Sequence, residues 1–218
     1  MLPFWNWLGK NHDTLGVVIG LIGVPVLIFQ ITQASRQERS RLRRRHIAAR
    51  AALPLTLSGI CKYAERSAQA FLAVHRAIKN REDPDFSNFD PPSAPASLVS
   101  SLEQMIEASS HDALIIRLSE IIAKIQVVDS WLADTRRDHR MMSGVIDGCL
   151  ADAALIDALA SSLFSYARRD VPAPPSAFIS TEEAEASLHR LRVWDMSYPD
   201  VYERIKSRCE EMNRLVRA

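Results

Sequence analysis

The residues that come nearest to a recognisable site for chemistry are the adjacent pair His111 and Asp112. With an upstream histidine and a distant aspartate on facing helices, such a pair can hold a metal ion for phosphate-ester hydrolysis. His75 and Asp147 or Asp152 are the residues that could complete it. Asp112, however, stands at a predicted helix start, where an aspartate caps the helix and complements its dipole. His75 falls on an apolar stripe, as packed histidines do. We therefore predict no metal site.

The cysteines and glycines form no pattern with a known chemistry. Three cysteines, an odd number, are spread widely, which argues against a disulfide framework and a zinc site; they are Cys61, Cys149 and Cys209. The sequence has no glycine-rich phosphate loop and no G-x-S-x-G motif. The pair Gly144-x-x-x-Gly148 favours close packing of helices rather than phosphate binding. Three aspartates follow one another at a spacing of five residues and therefore do not share a helix face, namely Asp147, Asp152 and Asp157. We therefore predict no catalytic residue, no cofactor and no enzymatic activity.

A dense run of arginines forms a basic head on a mildly acidic body. Residues 1–50 hold eight of the 27 Lys and Arg residues but two of the 26 Asp and Glu residues. Such a run can attract anionic headgroups or nucleic acid. Residues 30–62 contain no aromatic side chain to stack on bases, which argues against nucleic acid. We predict that these arginines contact the membrane interface: Arg36, Arg39, Arg41, Arg43, Arg44 and Arg45.

The segment before these arginines predicts a transmembrane helix over residues 14–35. It carries no charge, and Leu15 to Phe29 is apolar without interruption. Nineteen helical residues span roughly 28 Å, close to the thickness of about 30 Å of a hydrocarbon core. Trp5 and Trp7 precede the segment, where aromatic rings favour the headgroup layer. A cleaved signal peptide would carry its positive charge before the apolar run instead.

The same charges predict how the segment is oriented. Seven arginines follow it in residues 36–50, and Lys10 alone precedes it. By the positive-inside rule, residues 1–13 are a short extracytoplasmic tail and the rest is cytoplasmic. We therefore expect a basic juxtamembrane segment over residues 36–50, a cytoplasmic α-helical domain over residues 51–218, and a location in the inner (cytoplasmic) membrane.

Three glycines in the predicted span could bring two copies of it together. Gly16 and Gly20 form a small-xxx-small pair, and Gly23 follows. Such residues let helix backbones approach closely in lipid. One interpretation is that these glycines form a helix–helix contact, which would make the protein a homo-oligomer. The alternative is that glycine is simply tolerated in a helix surrounded by lipid.

The fold expected for residues 51–218 is all-α, a bundle of five to six helices behind the single transmembrane helix. Proline-rich connections interrupt it at residues 81–96 and 171–179. Between them, apolar residues recur at steps of three and four. One such stripe runs Leu114, Leu118, Ile121, Ile125, Val128 and Leu132, with Ile115, Ile122 and Trp131 beside it, and a second runs from Ile146 to Ala167.

Helix boundaries are also predicted. Ser180 and Glu183 have the spacing of a capping box, which opens a helix to about Trp194. Pro199 suits the first turn of a last helix. Pro54 would kink or break the helix that continues from the membrane segment, because it lacks a backbone donor.

This layout resembles that of bacterial membrane-anchored proteins, some of which are effectors or adaptors in phage defence. We expect a scaffold or adaptor that recruits a cytosolic protein partner to a bilayer with anionic headgroups. One alternative is an effector whose transmembrane helices oligomerise and perturb the bilayer, as in phage defence. The other is an enzyme with an unrecognised site.

Overall fold

We describe the fold from a computed structural model that covers residues 12–80, 91–137, 143–194 and 197–217. These residues form seven helical segments and no strand, which confirms the all-α prediction. The chain divides into two compact units, Met1–Arg45 and His46–Ala218. The helices are α1 (His12–Lys79), α2 (Ala96–Ala108), α3 (Asp112–Arg137), α4 (Ser143–Ser162), the single turn α5 (Phe164–Ala167), α6 (Thr181–Arg190) and α7 (Pro199–Arg217).

Helix α1 continues through Pro54 to Lys79, so of the predicted kink or break, the break does not occur. A proline inside a helix costs about 3 kcal/mol because one backbone hydrogen bond is lost. The residues around it offset this cost, since Leu53, Leu57 and Ile60 are all buried in the core of the second unit. Burial of one leucine or isoleucine side chain contributes about 1.5–3 kcal/mol.

Helix α4 lies at the centre of the second unit. Every residue from Ile146 to Ala160 is buried, and a helix that is apolar on all sides belongs inside a protein. Its many alanines allow neighbours to approach, and it packs against α3, α6 and α7. Helix α1 also reaches it, through His75 and Asp147.

The apolar stripe of α3 is confirmed as core. Its six members expose between 0% and 2% of their surface. The three residues predicted beside this stripe are less buried than its members: Ile115 and Ile122 are half-buried, and Trp131 is 39% exposed. Helix α2 was not predicted; it packs on α3 through Leu102 and Met105, which are fully buried. The helix begins at Ala96, directly after Pro95, at the end of the proline-rich connection predicted over residues 81–96.

Two arginines hold the connection between α5 and α6 against the rest of the second unit. Arg117, 1% exposed, donates hydrogen bonds to the hydroxyl of Ser162 and to the carbonyls of Ser176 and Phe178. Burial lowers the pKa of Arg117. Arg50 donates to the carbonyls of Tyr166 and Val171 and lies 3.9 Å above the Tyr166 ring. Arg50 therefore binds the folded unit, unlike the exposed arginines before it.

The start of α6 matches the predicted capping box. Ser180 Oγ accepts from the backbone N–H of Glu183 at 3.1 Å, and the Glu183 carboxylate accepts from the N–H of Ser180 at 2.9 Å. The helix ends at Arg190, four residues before the predicted Trp194. Arg192 adopts a left-handed backbone conformation with φ 62°, which turns the chain away from the helix axis.

Candidate functional site

The last part of the predicted membrane span is an uncovered apolar surface. Ile28, Phe29 and Ile31 expose between 57% and 67% of their surface within the first unit. The hydroxyls of Thr32 and Ser35 donate to the backbone carbonyls of Phe29 and Thr32, at 2.8 and 2.9 Å. Such internal hydrogen bonds satisfy hydroxyl groups without water. The hydroxyls of Thr32 and Ser35 are therefore satisfied within the helix itself.

The six arginines that follow are all exposed along the same helix. Every residue from 28 to 45 is exposed, and Glu38 is the one acidic residue in this stretch, beside six arginines. Arg44 Nε donates a hydrogen bond to the carbonyl of Ser40, one turn earlier in the same helix. The structure thus places an apolar surface directly before a solvated cationic one, for the arginines named in the sequence prediction: Arg36, Arg39, Arg41, Arg43, Arg44 and Arg45.

The other residues predicted for the membrane segment are described only in part. Trp5 and Trp7 lie outside the described residues. Gly16, Gly20 and Gly23 lie in the backbone of α1. Within the part of the chain that the structure describes, one helical stretch is long and apolar enough to span a membrane, Gly144–Ala167, and 78% of its most apolar part is buried. A buried helix of this kind is weak evidence for a membrane span, because the core helix of a bundle has the same composition.

The histidines and aspartates considered for a metal site do not assemble. His111 and Asp112 are exposed at the start of α3, where the His111 ring lies 6.3 Å from that of His46. His75 instead contacts Asp147 and packs edge-on against Tyr198. Across the residues with described side chains, no group of three or more His, Cys, Asp or Glu residues could hold a metal ion.

The three cysteines are free thiols with raised pKa values. Burial is the main cause in each case and raises the pKa of Cys61 and Cys149 to about 12 and that of Cys209 to about 11. Since the thiolate is the nucleophilic form, thiols of this kind are protonated and unreactive at neutral pH.

The buried aspartates of α4 each bind a different neighbour. A spacing of five residues turns a side chain by roughly 140° around a helix, so three such positions point in three directions. Asp147 faces His75 of α1 at 3.7 Å. Asp157 accepts hydrogen bonds from Arg190 Nε at 2.9 Å and from the Ser187 hydroxyl, both on α6.

Asp152 is the most deeply buried of the three and joins two helices at once. Its carboxylate binds Lys124 of α3 at 3.3 Å and also binds Arg208 of α7. The aspartate exposes 3% of its side chain, whereas the two cations are 15% and 33% exposed. The carboxylate is therefore a buried centre that holds two cationic side chains at the surface of α4.

Asp147 gives the second unit a pH dependence that can be measured. Burial raises its pKa, and nearby Asp200 adds to this, while His75 and Arg204 oppose it. The folded protein therefore holds a proton that the unfolded chain has already released. The free energy of unfolding should fall as the pH rises from the ordinary aspartate value, about 3.9, through the raised pKa.

Asp147→Asn should remove this fall, so its free energy of unfolding relative to the wild type should increase with pH. Urea unfolding at pH values between about 4 and 7 measures the difference. Asp134→Asn, at an exposed position of α3, is the matched control and should not follow the trend. If the free energies of unfolding of Asp147→Asn and the wild type changed in parallel with pH, Asp147 would not be the source of the pH dependence.

A groove between α3, α4 and α7 is lined by the cationic side chains of Lys124, Arg204 and Arg208 and by Gly144 and Gly148 of α4; we call it the basic groove. Two cavities of about 490 and 360 Å³ share its wall, which includes Lys124, Arg204 and Arg208. A Cβ atom added to Gly144 would lie 3.2 Å from Arg204 Nη2, and one at Gly148 would lie 3.3 Å from Arg208 Nη2. The two guanidinium groups thus rest directly on the backbone of α4.

No family model, no curated protein and no solved structure matches this chain. The chemistry of its own residues is therefore what supports a function for it.

The basic groove was missed by sequence reasoning, although its components have a visible period. Gly144 and Gly148 are four residues apart, and so are Arg204 and Arg208. Matching four-residue steps would let the pairs face each other along two packed helices. Neither pair alone indicates that α4 and α7 are neighbours, and the glycines were interpreted as a packing contact only.

Proposed function

We propose that this protein is a single-pass, N-out membrane protein whose cytoplasmic helical unit acts as a scaffold or adaptor. The observation that carries the proposal is the uncovered surface of residues 28–45, apolar at Ile28, Phe29 and Ile31 and cationic beyond Arg36. Exposed apolar side chains of this size are costly in water but favourable in hydrocarbon. Anionic headgroups attract the arginines that follow, with about 1 kcal/mol for each basic residue near the surface.

A binding role for the second unit is supported by its chemistry. The thiols have raised pKa values, and the α4 aspartates are engaged with cations or with histidine. The unit keeps exposed apolar side chains on several elements, among them Leu55, Val127 and Trp194. In this proposal, the helical unit recruits a cytosolic protein, and the anchor supplies its location.

Topology can be tested by labelling single introduced cysteines in intact cells. Asn11→Cys should react with a membrane-impermeant thiol reagent, and Ser93→Cys, at an exposed position of the second unit, should react only after permeabilisation. The native thiols give a low background, because Cys149 and Cys209 are buried and Cys61 is half-buried. The unaltered chain is the control, and the reverse labelling pattern would overturn both the orientation and the compartment.

Recruitment can be tested by comparing the proteins that fractionate with membranes in cells with and without the chain. A partner should move to the membrane when the full chain is present. An unchanged membrane fraction would argue against a scaffold.

A further inference from the structure

The basic groove holds more hydrogen-bond donors than the protein uses. Among the described residues, Arg204 takes part in no hydrogen bond or close ion pair, and its charge acts at longer range on Asp147. Lys124 and Arg208 both bind Asp152 but do so through one nitrogen each, Nζ and Nη1. A guanidinium group carries five N–H donors and an ammonium group three. Most of the donors on this wall are therefore available to an anion.

Gly144 and Gly148 leave space beside α4 for the arginine donors of the basic groove. Because Gly144 and Gly148 lack side chains, one end of each guanidinium group approaches α4 closely. Arg204, Ser207 and Arg208 share one face of α7, since they are three and four residues apart. Lys124 faces them from α3 across the same cavities. Forked guanidinium donors of this kind suit the oxygens of a phosphate group.

The rest of the wall limits which anion fits. Glu120 and Glu211 line the same cavity and would repel an extended polyanion such as nucleic acid. The smaller cavity is largely apolar, with Val127, Val145 and the half-exposed indole of Trp131 in its lining. Aromatic side chains can stack on a nucleobase. The groove therefore combines a phosphate-binding end with an apolar end suited to a flat ring.

We propose that the basic groove binds a nucleoside phosphate, with the phosphate on Arg204, Arg208 and Lys124 and the base beside Trp131. Each cavity is large enough for a ligand of this size, since small-molecule pockets measure about 300–1,000 Å³. The proposal stands on the second unit alone and does not depend on the membrane function.

The test uses the full chain in detergent without added lipid, titrated with the four nucleoside triphosphates, the four monophosphates, pyrophosphate and adenosine. Isothermal calorimetry gives the Kd, and the fluorescence of Trp131 reports occupancy, with Trp131→Phe assigning the signal. At least one nucleoside phosphate should bind more tightly than either pyrophosphate or adenosine. If no nucleoside phosphate binds at 1 mM (about −4 kcal/mol), or if pyrophosphate binds equally well, the proposal is wrong.

Two variants separate binding from folding. Arg204→Ala removes the unused guanidinium and should weaken binding about tenfold or more, the effect of losing a charged hydrogen bond. Gly144→Ala adds a methyl group beneath Arg204 and should also weaken binding. It should keep or raise the Tm, because alanine favours a helix over glycine.

Arg66→Ala, at an exposed position of α1 that does not line the groove, is the matched control and should bind as the wild type does. If Arg204→Ala and Gly144→Ala both retain the wild-type Kd, any nucleotide binding lies elsewhere and the assignment of the groove is overturned.

Discussion

Replacing Asp152 with alanine is expected to destabilise the second unit by about 1.5–3 kcal/mol, the range for a hydrogen bond to a charged group. The carboxylate is 3% exposed and is shared by Lys124 and Arg208. Its loss leaves both cations beside the core, where each must either remain unpaired or pull away from α4. Urea unfolding followed by circular dichroism measures the difference, and the loss is a large fraction of the stability of an ordinary domain.

Two further variants determine whether charge is the cause. Replacing Lys124, Asp152 and Arg208 together with Met, Leu and Met should recover most of the loss, because buried ion pairs can be exchanged for apolar residues of similar volume. Glu120→Ala, on the wall of the same groove, should change the stability by less than about 0.5 kcal/mol. A loss below about 1 kcal/mol for Asp152→Ala would show that the carboxylate does not join the helices.

Changing Arg43, Arg44 and Arg45 together to glutamate is expected to invert or scramble the orientation of the chain. The exchange reverses three charges on the predicted inner flank of the span, and topology follows the distribution of basic residues there. All three side chains are exposed, so the change should leave the folded unit intact. Cysteine labelling at Asn11 and Ser93 in this background measures the orientation.

The matching triple lysine variant separates charge from geometry. Lysine keeps the charge but lacks the planar fork with which arginine binds phosphate or carboxylate. If the arginines act through topology and headgroup attraction, this variant should insert and function as the wild type does. A triple lysine protein that inserts correctly but fails to recruit a partner would assign these arginines to a specific ligand instead.

The apolar periods of the sequence predicted α3 and α4 because their core residues recur at helical spacing, and Pro199 predicted the start of α7. Leu118 and Ile125, for example, are both buried. Local propensity alone does not exclude a break at Pro54, because it does not include the packing of Leu53 and Leu57 that holds the helix together. Trp131 was placed with the core because its spacing fits the stripe, yet it lies at the rim of the basic groove.

The candidate site was harder to predict because it depends on which helices are neighbours. The exposed arginines of α1 could be read from the sequence, since they form one local run. The pairing of Asp152 with Lys124 and Arg208 joins residues 28 and 56 positions apart. No local pattern indicates such a pairing, and a spacing of five shows only that the three aspartates of α4 point in different directions.

Arg117 determines how the proline-rich connection between α5 and α6 responds to proteases. Val171 and Pro172 are exposed, which would ordinarily mark a cleavage site. A protease binds its substrate in an extended conformation. Adopting that conformation would break the hydrogen bonds between the buried Arg117 guanidinium and the carbonyls of Ser176 and Phe178. Since an unpaired buried charge is costly, the connection cannot open while the core around Arg117 stays closed. Cleavage within this connection therefore reports opening of the helical unit as a whole rather than fraying of a surface loop.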